Sequence, residues 1–412
     1  MPIAEPDIRS SFQTDARAAI EGFRTALTAS LDVLGSLSRR RSVDLAAALE
    51  LDTKLAWKLS RILELSDPYS AGLYIPGPGG IRILTDALQR GGVPPHRLLD
   101  IELAHEAFAQ LQRTHAGDRR TLDMLLSSLA EQEQDRCDLE QRRAAHQANA
   151  SLWGVHAAMR LMTFVVSAST SEPARIDVAH IAGLFGVSRT RPNVPWRVAQ
   201  LRAENNTGDP AARAPSRPLD PDAPPSGPPI LQAHCKGPVP ELIPVPVDRG
   251  RIEYRLGDGP IGRTSEFDLV FAEFMPSAGE RYRSSEDRQL SVASRNRTPA
   301  ERLVLDLVLD RDLYGFVDPK ALLVSELWGE RSPTLLDDPE RLPLTERLTR
   351  LAPGISAMVH RDVPRHAELM QRLFDACQWN PARFDTYRID MPYPPAPTAL
   401  RMVVPLPEPP AG

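Results

Sequence analysis

The chain has 412 residues, a formal net charge of −5 and 42% hydrophobic residues, enough for ordinary cores in two or three domains and wrong for a nucleic-acid coat protein. Its three cysteines, Cys137, Cys235 and Cys377, are far apart, so neither a disulfide framework nor a zinc spacing follows. No run approaches the ~18 apolar residues of a membrane span, and MPIAEPDIRSS has neither a basic n-region nor an apolar run, so a soluble cytoplasmic protein without a membrane partner is expected.

Residues 13–37 carry Ile20, Phe23, Leu27, Leu31 and Leu34 at helical spacing and predict a first helix. The stretch 42–61, SVDLAAALELDTKLAWKLSR, predicts two short helices joined by a turn. Ser42 is a candidate cap. Leu45, Ala46 and Leu49 share one face of the first helix, and Ala56, Leu59 and Leu63 share one face of the second. Ala46 and Ala56 are small where the helices must touch. The outward face of the second helix carries Thr53, Lys54, Trp57, Lys58 and Arg61, and Arg39, Arg40 and Arg41 precede the unit. Only four lysines occur in the chain, and two of them lie here.

This stretch resembles the helix-turn-helix of bacterial transcription regulators. The resemblance implies that Thr53, Lys54, Trp57, Lys58 and Arg61, with the Arg39–Arg41 triplet, contact DNA, some positioning on phosphates and some reading bases. It also implies a homodimer, because one recognition helix reads only a few base pairs. One position departs from the family. Its turn usually holds Gly at positive φ, and here stands Glu50. Either Glu50 adopts that conformation or the turn is longer.

Beyond this, SDPYSAGLYIPGPGG is rich in turn-formers, ILTDALQRGG predicts a helix ended by Gly91–Gly92, and 95–112 and 118–150 predict further helices. Residues 151–168 read as a buried helix or a helix running into a strand. Residues 204–229, dominated by Pro, Asp, Ala and Ser, predict a linker. Then the period changes to two: 252–256, 267–275, 289–294, 302–310 and 399–406 predict strands, with Leu303, Leu305, Leu307 and Leu309 on one face. A helix is predicted within 361–377.

The predicted fold is multidomain: an all-α N-terminal half with a helix-turn-helix, and an α+β C-terminal domain with a mainly antiparallel sheet. The expected divisions are 1–92, 93–203, a linker at 204–229, and 230–412.

Other patterns carry less. IAGLFGVSRTRPNVPW at 181–196 has the apolar skeleton and turn Gly of a second helix-turn-helix, but Pro192 and Pro195 fall within its recognition helix. His360, Arg361 and Asp362 spell a kinase triplet without the accompanying motifs. GDGPIG at 257–262 reads as a hairpin turn. His234–Cys235 is an unlikely-geometry nucleophile pair if both lie in a strand, since neighbours there point to opposite faces. Asp337–Asp338 looks like turn chemistry. No cofactor, metal or catalytic constellation is expected. A DNA-binding regulator leads, a scaffold using the helical pair for protein contacts follows, and an enzyme with a site in the C-terminal sheet comes last.

Overall fold

The computed structural model describes the chain except residues 1–7, 36–40, 131–133, 203–215, 224–226, 238–240, 248–250, 285–287, 315–317, 328–339 and 410–412. It divides into two compact units, Met1–Asp138 and Leu139–Gly412. The divisions expected at 92/93 and 203/204 are not where the chain separates. Ile101, Phe108, Leu111, Leu122 and Leu126 share one core with Ile20, Phe23 and Leu27, so residues 93–126 belong with the first helices.

The first unit is helical. Helix α1 (Ile8–Asp32) buries Ala16, Ile20, Phe23, Leu27 and Leu31, one stripe at three- and four-residue spacing. It stops five residues before the predicted end, and Leu34 packs on the core from the turn that follows. Then come α2 (Ser42–Leu49), α3 (Thr53–Glu64), α4 (Pro68–Gly72), α5 (Pro78–Arg90), α6 (Pro95–His115) and α7 (Arg119–Ser127). Three of these start with Pro in the first turn, where its missing N–H costs nothing. Gly72 is required by contact: a Cβ there would stand 2.6 Å from Cδ1 of Ile20. The predicted helix over 118–150 is two, α7 and α8 (Gln134–Trp153).

The second unit is built on a seven-stranded sheet. Its strands are β1 (Val155–Ala168), β2 (Arg175–Arg189), β4 (Arg217–Pro218), β7 (Phe267–Glu280), β9 (Ala300–Asp310), β12 (Thr349–Leu351) and β13 (Phe384–Pro392), in the order β12-β13-β9-β1-β2-β7-β4. All pairs are antiparallel except β1 with β9. A four-stranded sheet contains β8 (Gln289–Asn296), β10 (Lys320–Ser325), β11 (Arg341–Leu342) and β14 (Thr398–Pro405), and a three-stranded one contains β3 (Arg197–Arg202), β5 (Leu242–Val247) and β6 (Arg251–Leu256).

The alternation in β9 explains the layering. Leu303, Leu305, Leu307 and Leu309 face Leu400, Met402 and Val404 of the four-stranded sheet. Val304 and Val308 face the other way, onto Leu369, Leu373 and Phe374 of α11 (His366–Cys377). A strand covered on both faces is apolar on both except where a buried charge is paired, and on the second face Val304 and Val308 flank Asp306, which is held by Arg388.

The weaker sequence patterns find their places here. The segment at Ile181, whose prolines ruled out a second helix-turn-helix, is strand β2; Gly186 has φ +60 within a register shift against β7, so the glycine serves a bulge. GDGPIG does not close a hairpin between its flanking strands, because β6 pairs with β3 and β5 while β7 pairs with β2 and β4. The described part of the Pro-rich segment is strapped to β7: the Leu219 N–H donates to Ala272 O at 3.0 Å, and Ala272 N–H donates to Pro229 O at 2.8 Å. A proline that cannot donate still accepts at a sheet edge. No helix among the described residues is long and apolar enough to cross a membrane.

Candidate nucleic-acid interface

The helix α2 begins at Ser42 itself, with Arg41 at the cap position and no side-chain cap, so the expected Ser42 cap is not formed. Leu45 and Leu49 are buried, and Ala46 packs at the core's margin. The helix ends at Glu50, with φ 50 and ψ 43. Glu50 N–H and Leu51 N–H both close on Ala46 O, the second at 3.0 Å. Leu51 is buried and anchors the turn. Asp52 then caps α3, its Oδ1 accepting from Lys54 N–H at 2.8 Å. Of the two readings of the turn, the first holds: Glu50 occupies the left-handed position where the family keeps glycine.

Helix α3 buries Ala56, Leu59, Ser60 and Ile62. Lys54, Trp57, Lys58 and Arg61 recur at i, i+3, i+4 and i+7 and lie together on the opposite side. Thr53 and Lys54 are exposed, while Lys58 and Arg61 are half-buried. Trp57 is 41% exposed, with its ring edge-to-face on Tyr74 at 5.3 Å between centroids. It is therefore both a surface residue and a packed one. The Arg61 guanidinium lies 5.7 Å from the centre of the same Tyr74 ring and 3.7 Å from Glu64. On the α7 side, burial raises the Asp123 carboxyl above its usual range, and the neighbouring Arg119 and Lys58 charges pull it back.

The support beneath this face comes from Arg119. Its Nη1 donates to Ile75 O and its Nη2 to Leu73 O, both at 3.0 Å, and its Nε donates to Asp123 at 2.8 Å. One guanidinium thereby satisfies the carbonyls flanking Tyr74, which carries Trp57. Neither Arg119 nor Tyr74 is visible as part of the site in the sequence, because nothing periodic links them to α3.

Arg39 and Arg40 lie outside the described residues. Arg41 is exposed, with Nε 3.7 Å from Asp44. From Arg41 to Glu64 the chain has four basic residues (Arg41, Lys54, Lys58, Arg61) and four acidic ones (Asp44, Glu50, Asp52, Glu64). The positive character of the face is therefore directional, and any excess comes from the arginine triplet.

In the second unit, the residues singled out from sequence form a brace. Arg388 Nε and Nη2 each donate to Asp306 at 2.7 Å, and Nη2 also reaches Met358 O at 2.5 Å. His360 Nε2 lies 3.2 Å from Asp390 Oδ2, Arg302 Nη1 is 2.7 Å from Asp390 Oδ1, and Arg302 Nε is 3.4 Å from Asp362. His366 accepts from His360 N–H at 2.9 Å, and burial, with Arg388 and His360 beside it, pushes its pKa down to about 3. Asp306 and His366 are each 1% exposed, while Arg302, Asp362 and Asp390 reach the surface, and the cluster ties the segment before α11 to β9 and β13.

His234 and Cys235 lie at a 3-10 turn (Gln232–His234) rather than in a strand. Burial raises both thiols, Cys235 and Cys377, the latter to about 12, which disfavours the reactive thiolate at each. Asp337–Asp338 lie outside the described residues. Among the described residues no group of three or more His, Cys, Asp or Glu is placed to hold a metal ion. Comparison of the chain with protein-family models, curated proteins and solved structures gives no match.

Proposed function

We propose that the chain is a DNA-binding transcription regulator in which α3 is the recognition helix. The observation that carries this reading is the combination at the α2–α3 turn. Glu50 takes the left-handed conformation that the motif requires, and the face of α3 turned away from the core presents Lys54, Trp57, Lys58 and Arg61. The Leu139–Gly412 unit serves dimerisation or sensing. The test is fluorescence anisotropy with genomic fragments over a salt series. Each lost phosphate contact lowers the slope of log affinity against log salt by about 0.9. Lys54→Ala, Lys58→Ala and Arg61→Ala should each weaken binding and flatten that slope. A wild-type protein with no salt-sensitive binding to any fragment sinks the reading.

A second reading is favoured by the partners of that same face. Arg61 rests on Tyr74 and Glu64, Lys58 stands by Asp123, and acidic residues equal basic ones from Arg41 to Glu64. In it the helical pair is a protein-contact surface of a scaffold. Capture of a stoichiometric partner, unaffected by nuclease and lost in Trp57→Ala, decides for it.

A further inference from the structure

The second unit holds a cleft of about 460 Å³ that the reading above does not use. Its walls are aromatic and apolar. Trp153, the last residue of α8, and Trp196, just before β3, meet at 5.7 Å between ring centroids with planes at 62°. Pro195 and Pro397 complete the wall. Trp196 is fixed, its Nε1 donating to Thr298 Oγ1 at 2.9 Å. Trp153 is not covered: 52% of it is exposed. An indole left half in water beside a second, anchored indole is a stacking surface for a planar ring.

The rim is arginine-rich and organised by two carboxylates. Glu253 is ion-paired to both Arg197 and Arg255, the latter at 3.0 Å. Glu326 is paired to both Arg295, at 3.1 Å, and Arg297, at 3.4 Å. Each carboxylate is nearly buried and each guanidinium is about one-third exposed. Glu253 is thus shared by two cations, which leaves positive charge in excess at that side of the cleft, and across from it Arg297 lines the cleft beside Glu326, its guanidinium about one-third exposed. Behind the Glu326 pair lies Arg160, its Nε donating to Ser294 Oγ at 3.1 Å. Burial first, and Arg297 next, lower Arg160 to about 10, which still leaves it charged at neutral pH. Guanidinium forks pre-oriented by a carboxylate match the oxygens of a phosphate or carboxylate.

We infer that this cleft binds a small planar aromatic anion, its ring on Trp153 and Trp196 and its phosphate or carboxylate on the Arg255 and Arg297 rim. A neutral ring would leave the positive rim unmatched. A bare inorganic anion would leave the indoles wet. The size agrees with a single small molecule. The inference stands apart from the DNA reading, since every residue it uses lies beyond Leu139 and none belongs to α3.

Isothermal titration calorimetry on the full chain tests it. Adenosine monophosphate and 2-hydroxybenzoate are the probes, carrying a phosphate and a carboxylate respectively. Adenosine, inorganic phosphate and a short single-stranded oligothymidylate are the comparisons. Saturable binding of either aromatic anion, at least tenfold tighter than adenosine or phosphate, is expected, and which anion binds identifies the acid group. Trp153→Ala should weaken that binding ~10-fold or more, the range of a lost stacking platform, and Arg297→Gln should weaken it while flattening its salt dependence. Trp153 is half exposed and Arg297 about one-third exposed, and unchanged circular dichroism keeps the comparison fair. No binding of either anion at millimolar concentration overturns the inference. So does equal binding of adenosine or phosphate, preference for the oligonucleotide, or binding indifferent to both substitutions. None of these outcomes touches the salt dependence of Lys54→Ala on DNA, so the two proposals fail separately.

Discussion

Replacing Glu50 by glycine should stabilise the first unit. A residue with a Cβ in the left-handed region is disfavoured by ~1–2 kcal/mol relative to the right-handed one. Glycine escapes this, but its freer unfolded chain costs back ~0.4–1 kcal/mol. The net gain is ~0.5–1 kcal/mol, provided that the φ of 50 at this position persists. Glu50 also places a negative charge at the C-terminal end of α2, where the helix dipole disfavours it. Removing the charge alone should therefore help slightly, and Glu50→Ala measures that contribution while keeping the Cβ. The difference between Glu50→Gly and Glu50→Ala isolates the backbone. In urea unfolding followed by helical circular dichroism, Glu50→Gly should have the higher midpoint with an unchanged slope. In heat denaturation the difference should be ~2–4 °C per kcal/mol for a unit of this size. A Glu50→Gly protein no more stable than Glu50→Ala would show that the turn is not held at positive φ, and the strongest geometric support for the motif would go.

Three further outcomes follow from the burial of charged groups. His366, neutral in the fold with a pKa near 3, is depressed from an unfolded value near 6.5, so its stabilisation is complete above pH 6.5 and is lost as pH falls toward 3. The His366 share of the loss should approach ~1.4 kcal/mol per pH unit within that window, and His366→Asn, which keeps the acceptor for His360 N–H, should reduce the slope by that share; an unchanged pH profile would refute it. Asp306→Ala should cost ~3–5 kcal/mol by stranding Arg388, whereas the double change Asp306→Leu with Arg388→Met should cost less, and urea midpoints that rank the other way would refute the pairing. Iodoacetamide at pH 8 followed by peptide mapping should leave Cys235 and Cys377 unlabelled in the native protein and label both in urea.

How far the sequence disclosed this molecule depended on whether a signal was local. The α2–α3 pair was legible because Leu45, Leu49, Ala56 and Leu59 repeat at a helical period within twenty residues. Strand β9 was legible because its alternation is complete, and it is the strand with both faces covered. The segment 181–196 lost its helix-turn-helix reading to two prolines but was not legible as a strand, because Ile181, Phe185 and Val187 suit either a helix or a doubly covered strand, and periodicity alone does not separate the two. Only the pairing of β2 with β1 and β7 decides it. The division at 92/93 misled because Gly91–Gly92 ends a helix without ending a core. Arg119 and the Trp153–Trp196 cleft were invisible because each joins residues more than forty positions apart, and Tyr74 because no periodicity links it to Trp57 and Arg61 on α3. The clusters around Glu253 and Glu326 also need tertiary structure: Arg197 joins Arg255 at Glu253 only once β3 pairs with β6, and Arg295 and Arg297 reach Glu326 from a distant segment.

The remaining tension concerns the half-buried cations of α3, and magnitudes resolve which way it leans. The contacts of Arg61 include a cation–π contact with Tyr74 and an ion pair with Glu64 at 3.7 Å. Such contacts contribute ~0.5–1 kcal/mol and ~0–1 kcal/mol respectively. A charge-assisted hydrogen bond to phosphate is worth ~1.5–3 kcal/mol. Under the proposed DNA reading, a phosphate contact would more than offset these two contacts. Lys58 is different, because moving it away would leave Asp123 with Arg119 as its cation while Arg119 is committed to the carbonyls beside Tyr74. The order expected for DNA affinity is thus Lys54→Ala and Arg61→Ala both weaker than wild type by reduced salt slope alone, with Lys58→Ala also lowering the thermal midpoint. If Arg61→Ala leaves both affinity and salt slope unchanged while Trp57→Ala abolishes partner capture, the face belongs to a protein and not to DNA.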